Sequence, residues 1–279
     1  GLIAVDASAG VQVGTRRAWR CCEQAGKARA IVITGLDKDN ADFNRTVADI
    51  QASFGPQCVP AVLPLADRSG VVDVIGGKNP PADLAASVEA FKSSLIERAA
   101  ETDDTLIEKF IGGESLSPEE IGKGLDQAMI TGGVTPIFAC CARTGVGVTE
   151  LLDGIARLFP SPLAVEHKDR DGQVIKPDAD APFIGQVWHT VNDSFVGQLA
   201  YVRVFGGTLR SDSEVFNVDK GHKERIGAML ITNGKKQETV SSVMAGEIVA
   251  LPKLKITSIG HTLGVSGSKT FCLPLVFPK

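Results

Sequence analysis

Short apolar runs alternate with segments of helical spacing over the first 65 residues, and this alternation constrains the fold more than any other feature of the sequence. The runs at 2–5, 28–33 and 59–65 have the length and composition of buried strands, whereas the segments at 10–26 and 42–54 have helical spacing. Alternating strands and helices predict a parallel α/β sheet. Such a sheet binds its ligand at the carboxyl ends of its strands.

A mainly helical segment interrupts this pattern at about 66–133 and is interpreted as an insertion into the α/β domain. Its last helix begins at Ser117, where a serine N-cap precedes a first-turn proline and two glutamates. The domain then resumes with a strand at 134–139 and a helix at 147–159, and it extends to residue 162. The predicted elements of the insertion are a hairpin-like piece and three helices, at 70–76, 83–100, 102–111 and 117–130.

The pattern changes again after a polar linker at 163–181. From 182 to 279, apolar residues recur at every second position, as in Phe183–Trp188 and Gln198–Val204, and glycine-bearing turns separate the runs. Alternation of this kind predicts an antiparallel β-barrel. The sequence therefore predicts two domains, 1–162 and 182–279.

Composition and charge indicate a cytoplasmic protein with no membrane partner. No apolar stretch is long enough to cross a bilayer. The formal net charge of -4 means that any contact with nucleic acid must come from a local basic cluster. The adjacent pairs Cys21-Cys22 and Cys140-Cys141 lack the two-residue gap of a metal-binding pair, so we expect reduced thiols and no metal site.

Eight stretches resemble elongation factor G in order and spacing, over nearly the whole chain. The α/β domain contributes Val5-Asp6-Ala7-Ser8-Ala9-Gly10-Val11-Gln12, Thr34-Gly35-Leu36-Asp37-Lys38, Ala41-Asp42-Phe43 and Leu158-Phe159-Pro160-Ser161-Pro162-Leu163. The barrel contributes Asp193-Ser194-Phe195-Val196-Gly197, Gly207-Thr208-Leu209-Arg210, Gly221-His222-Lys223-Glu224-Arg225-Ile226-Gly227 and Ala245-Gly246-Glu247-Ile248. The resemblance implies part of a P-loop GTPase sheet with a helical insertion, followed by a translation-factor barrel.

The resemblance also implies a guanine-binding loop after the second strand. The family pattern Asn-Lys-x-Asp falls on residues 34–37, and Asp37 matches the aspartate that accepts hydrogen bonds from two guanine donors. Thr34 and Gly35 replace the asparagine and the lysine, which predicts weakened binding. The simpler alternative is that Asp37 caps a turn or a helix.

A second guanine-reading loop, Ser-Ala-x in the family, falls on Cys141, Ala142 and Arg143. In the family, the backbone N–H of the alanine contacts guanine O6, so Cys141 in place of serine leaves that contact possible. The simpler alternative is that Cys140-Cys141-Ala142 only ends a buried strand.

Two family motifs do not occur in these 279 residues. The phosphate-binding loop and the Asp-x-Pro-Gly-His segment lie upstream of residue 1 in elongation factor G. We therefore expect an internal fragment without catalytic residues, taken from a parent protein that binds GTP or GDP with Mg²⁺.

The densest basic cluster of the barrel is expected to contact small-subunit ribosomal RNA, because the family's second domain rests there. An alternative is that it forms an ordinary solvated hairpin face. Its members are Lys220, His222, Lys223, Arg225, Lys235 and Lys236.

Three functions stay open at this point. The parent protein, expected to be a monomer, could hydrolyse GTP on the ribosome during translocation. It could instead be a divergent ribosome-binding paralogue with weak or no use of GTP, which Thr34 and Gly35 favour. A ribosomal protection protein or a GTPase of the release factor 3 type shares the same two domains but fits the 66–133 segment less well.

Overall fold

The chain divides into two units, Gly1–Pro160 and Ser161–Lys279. The computed structural model describes residues 1–77, 79–159, 161, 166–193, 197–234 and 236–275. In these ranges no helix combines the length and the apolar character that crossing a membrane requires.

The first unit is built on a parallel sheet with helices. Its elements are β1 (Leu2–Asp6), α1 (Val13–Gln24), β2 (Ala30–Thr34), α2 (Phe43–Phe54), β3 (Cys58–Pro60), β4 (Val62–Pro64), β5 (Val71–Asp73), α3 (Ala85–Ala100), α4 (Asp104–Ile111), α5 (Pro118–Thr131), β6 (Thr135–Ala139) and α6 (Val148–Leu158). Strands β1, β2, β6 and β3 pair in that order, all in parallel. All five residues of β6 and the first four of β2 are buried, as expected for central strands. The predicted α/β fold is confirmed.

The predicted strand at 59–65 is wrong, because the structure divides it between two sheets. β3 pairs with β6, whereas β4 forms an antiparallel hairpin with β5. Ala61, between these two strands, bonds in both directions. Its N–H donates to the carbonyl of Ile137, and the carbonyl of Ala61 accepts from the N–H of Val74. Pro60 and Pro64 have no N–H to donate, so the chain cannot continue as one fully paired strand. The hairpin-like piece predicted at 70–76 therefore contains only the second strand of the hairpin.

The three helices predicted within 66–133 are present as α3, α4 and α5. Ser117 caps α5: its hydroxyl accepts from the N–H of Glu120 at 3.2 Å, and the Glu120 carboxylate accepts from the N–H of Ser117 at 2.8 Å. α5 packs closely on α3, because a Cβ at Gly124 would lie 2.6 Å from the carbonyl oxygen of Ala99. The extent of the insertion and the domain boundaries remain predictions.

The second unit is antiparallel. Its strands are β7 (His167–Lys168), β8 (Val174–Ile175), β9 (Ile184–Asp193), β10 (Gly197–Gly206), β11 (Thr208–Arg210), β12 (Glu214–Asn217), β13 (His222–Arg225), β14 (Met229–Asn233), β15 (Lys236–Val240), β16 (Ser242–Met244), β17 (Ile248–Pro252) and β18 (Thr262–Gly264). The main sheet has the order β13-β12-β18-β9-β10-β17-β14-β15. Ala200, Val202 and Val204 of β10 enter the core at alternate positions, which confirms the predicted all-β fold. Within the predicted linker, β7 and β8 pair with each other.

Candidate functional site

Three loops of the first unit lie at the carboxyl edge of the parallel sheet. They follow β1, β2 and β6, and these strands are neighbours in the sheet. Because parallel strands end at the same edge, the loops 7–12, 35–42 and 140–147 lie close together. This is the edge at which the sequence predicts a ligand.

The loop after β1 is attached to α2 by three hydrogen bonds. The carboxylate of Asp49 accepts from the N–H of Val11 at 2.6 Å. The hydroxyl of Thr46 donates to the carbonyl of Ala7 at 3.1 Å, and the Arg45 guanidinium donates to the carbonyl of Ser8 at 3.0 Å. α2 therefore fixes one wall of the site.

Asp6 and Lys38 connect the first two loops. The Asp6 carboxylate forms an ion pair with the Lys38 ammonium and accepts from the hydroxyl and the N–H of Ser8. The hydrogen bond from Lys38, followed by those from Ser8, holds the pKa of Asp6 well below its usual range. Asp6 therefore stays ionised at neutral pH and can anchor Lys38.

Gly35 occupies a position that does not readily accept the family's lysine. Its φ is +72°, in the left-handed region that favours glycine. A Cβ there would lie 3.3 Å from Oδ2 of Asp6 and 3.4 Å from Cε of Lys38. The side chain of Lys38 therefore passes close over the glycine at this position.

Asp37 connects the second loop, to which it belongs, with the third. The Cys141 thiol donates to its Oδ1 at 3.1 Å, and the Nε and Nη2 of Arg143 approach its Oδ2 at 2.6 and 2.5 Å. These hydrogen bonds, the one from Cys141 first, lower the pKa of Asp37. The structure thus brings together the two predicted guanine-reading loops, which are 104 residues apart at Asp37 and Cys141.

Of the remaining predicted residues, Thr34 ends β2 and Ala142 is exposed. The backbone N–H of Ala142 donates to no acceptor among the described residues, so it is available to a ligand. Arg68 was not predicted: its guanidinium donates to the carbonyls of Lys38 and Ala41 at 2.8 and 3.0 Å. Arg68 lies outside every motif, so no sequence signal pointed to it.

The family model described as Elongation factor Tu GTP binding domain matches residues 1–161, which is more than half of the chain. A second model, Elongation factor G domain 2, matches residues 182–266. The chain belongs to the elongation factor G family of translational GTPases. The resemblance found in the sequence motifs is therefore confirmed.

Two curated proteins and one solved structure illustrate the relationship. Elongation factor G of Neorickettsia sennetsu is 36% identical over 294 residues, covering 96% of this chain and 42% of the relative. Elongation factor G of Fervidobacterium nodosum is 32% identical, covering 100% and 44%. A crystal structure from Thermus thermophilus superposes with a TM-score of 0.81 at 29% identity, covering 96% and 40%. The chain thus spans about two fifths of the length of these relatives.

Four members of the predicted RNA-binding cluster lie in one hairpin of the region that matches elongation factor G domain 2. They are Lys220, in the turn before β13, and His222, Lys223 and Arg225, on β13 itself, and all four are exposed. Lys223 forms an ion pair with Glu214 of β12 at 3.6 Å. Lys236 begins β15, at the opposite end of the strand order, and Lys235 lies outside the described residues.

A buried carboxylate outside the predicted basic cluster supports this hairpin. Glu224 accepts from the N–H groups of Lys255 and Ile256 at 2.6 and 3.0 Å and from the hydroxyl of Thr257. That hydroxyl in turn accepts from the side-chain amide of Asn217 at 2.9 Å. Because buried polar groups are costly when unpaired, this network fixes the hairpin relative to residues 255–257.

Proposed function

We propose that the first unit recognises the guanine base of a nucleotide in a translational GTPase that acts on the ribosome. One observation carries the proposal: Asp37 and residues 141–143 meet at the carboxyl edge of a parallel sheet. The carboxylate of Asp37 accepts from the ring N–H and the exocyclic amine of guanine, and the N–H of Ala142 donates to its O6. Adenine lacks the two donors and would leave the carboxylate unpaired.

The nucleotide expected in this family is GTP or GDP with Mg²⁺. The residues that we propose for the site contact only the base of that nucleotide. When bound, Mg²⁺ neutralises the charge of the phosphates. Among the described residues, no group of three His, Cys, Asp or Glu side chains is placed to hold a metal ion. The role that we propose for this chain is to bind and select the base, and no step assigned to it involves Mg²⁺.

The geometry at Gly35 supports weaker nucleotide binding than the family pattern provides. Thr34 lacks the side-chain amide with which the family's asparagine braces the loop. The positive φ of Gly35 disfavours a lysine at the next position. One lost hydrogen bond of this kind costs about 1–3 kcal/mol, or one to two decades in affinity. A divergent ribosome-associated paralogue with weak use of GTP is therefore the second candidate function.

We propose further that Lys220, His222, Lys223 and Arg225 contact small-subunit ribosomal RNA during translocation. Four basic side chains on a hairpin held by Glu224 suit the phosphate backbone of a folded RNA. With the ribosome as partner, we place the protein in the cytoplasm as a monomer. We propose Lys236, which lies on β15 at the other end of the strand order, as a separate contact.

The substitution Asp37→Asn tests the guanine site, because it should change the preferred base from guanine to xanthine. The side-chain oxygen of an asparagine still accepts from the ring N–H of the base. Its NH₂ group is a donor, so it suits xanthine, which has a carbonyl at the position where guanine has an amine. The variant should therefore lose guanosine binding and gain xanthosine binding, by about tenfold or more in each direction. Nuclear magnetic resonance titration of the 279-residue chain with guanosine, xanthosine and adenosine measures both changes.

Asp39→Asn is the matched control, because Asp39 is an exposed aspartate of the same loop. It should keep the preference of the unsubstituted chain for guanosine. If Asp37→Asn leaves the order of the three nucleosides unchanged, the base does not bind at Asp37.

A further inference from the structure

Both carboxylate oxygens of Asp37 already have partners. Oδ1 accepts from the Cys141 thiol, and Oδ2 accepts from the Arg143 guanidinium at 2.6 Å and 2.5 Å. A thiol is a weak donor, whereas a guanidinium bound to a carboxylate is a strong, charge-assisted one. The main competitor for any ligand of Asp37 is therefore Arg143.

The two residues differ in their access to solvent. The side chain of Asp37 is 19% exposed, and that of Arg143 is 77% exposed. Cys141, the other partner, is buried. Arg143 thus covers Asp37 on the solvent side, from which a base must arrive.

We infer that Arg143 competes with guanine for Asp37, so that the base binds only when the Asp37–Arg143 ion pair opens. This inference rests on the proposed guanine site. The apparent affinity is then the intrinsic affinity multiplied by the fraction of molecules in which the pair is open. Arg143 acts as a gate that sets how strongly the chain holds the base.

The dependence of guanosine binding on ionic strength distinguishes this gate from a role in which Arg143 strengthens the binding of the base. An exposed ion pair is screened by salt, so added salt opens it. Guanosine has no charge, and its binding depends on salt only through the protein. If Arg143 instead stacked on the base, its removal would weaken binding at every salt concentration.

The test is guanosine titration of the full 279-residue chain and of Arg143→Gln at about 20 mM and about 300 mM KCl. The unsubstituted chain should bind more tightly at the higher salt concentration. Arg143→Gln should bind about two- to fivefold more tightly than the unsubstituted chain at low salt, with little dependence on salt. Arg143→Lys should lie between them, because it keeps the charge without the fork of donors.

Arg17→Gln provides the control, since Arg17 is an exposed arginine of α1, and it should behave like the unsubstituted chain. Equal or weaker guanosine binding by Arg143→Gln overturns the gate but not the guanine site, provided that the chain prefers guanosine to adenosine. If neither protein shows that preference, both the site and the gate are wrong.

Discussion

At the scale of single residues, burial divides the six cysteines by reactivity. Cys21 is exposed, whereas Cys58 and Cys272 are buried, and burial raises the pKa of each of these two thiols to about 12. The thiolate is the nucleophile, and a raised pKa keeps the thiol protonated at about pH 8. Iodoacetamide should therefore modify Cys21 in the folded chain and should reach Cys58 and Cys272 only after unfolding.

Mass spectrometry of tryptic peptides, with and without guanidinium chloride, measures this difference. Cys21→Ser should remove the fast modification and leave the slow ones unchanged. Modification of Cys58 in the folded chain as fast as that of Cys21 would show that Cys58 is not buried.

The sequence predicted that residues 37 and 141–143 belong to one candidate site, but not how their side chains pair. Strand order and motif spacing place residues 37 and 141–143 at one edge of the sheet. The ion pairs of Asp37 with Arg143 and of Asp6 with Lys38 depend on side-chain rotamers and on the left-handed turn at Gly35. No periodicity in the sequence carries that information.

At the scale of elements, two glycines of α5 should respond in opposite ways to alanine. A Cβ at Gly124 would lie 2.6 Å from the carbonyl oxygen of Ala99, whereas a Cβ at Gly122 would meet nothing within 4 Å. Gly124→Ala should lower the free energy of unfolding by about 1–3 kcal/mol, because α3 and α5 must separate. Gly122→Ala should raise it by about 0.5–1 kcal/mol, the ordinary gain in helix propensity.

Urea denaturation followed by circular dichroism compares the two variants, and each serves as the control for the other. Stabilisation by both substitutions would mean that α3 and α5 do not pack as closely as the structure has them.

Elements with a strong periodic pattern were predictable from the sequence, and the error at 59–65 arises where the pattern is ambiguous. The serine cap and first-turn proline located the start of α5. The run at 59–65 looks like one apolar strand, but the part that ends at Pro60 pairs with β6 and the part from Val62 to Pro64 pairs with β5. Which partner each half takes depends on the tertiary position of β6 and β5, which no local pattern specifies.

At the scale of the whole molecule, a net charge of -4 requires that any binding to RNA come from the position of charges and not from their sum. Lys220 and Lys223 lie in the hairpin, so Lys220→Gln with Lys223→Gln should weaken binding to small ribosomal subunits. It should also reduce the slope of log affinity against log salt by roughly 1–2, because each phosphate contact contributes slightly less than one unit. Co-sedimentation over a series of salt concentrations measures both effects.

Two lysines of the first unit provide a control variant, which distinguishes an effect of where the charges lie from an effect of total charge. Lys27 is exposed, and Lys123 pairs with Glu119 at 3.2 Å much as Lys223 pairs with Glu214 at 3.6 Å. Lys27→Gln with Lys123→Gln removes the same charge as the hairpin variant and should leave the affinity and the salt slope almost unchanged. Equal losses in the two variants would mean that the ribosome responds to the charge of the whole chain. The hairpin would then be an ordinary solvated surface.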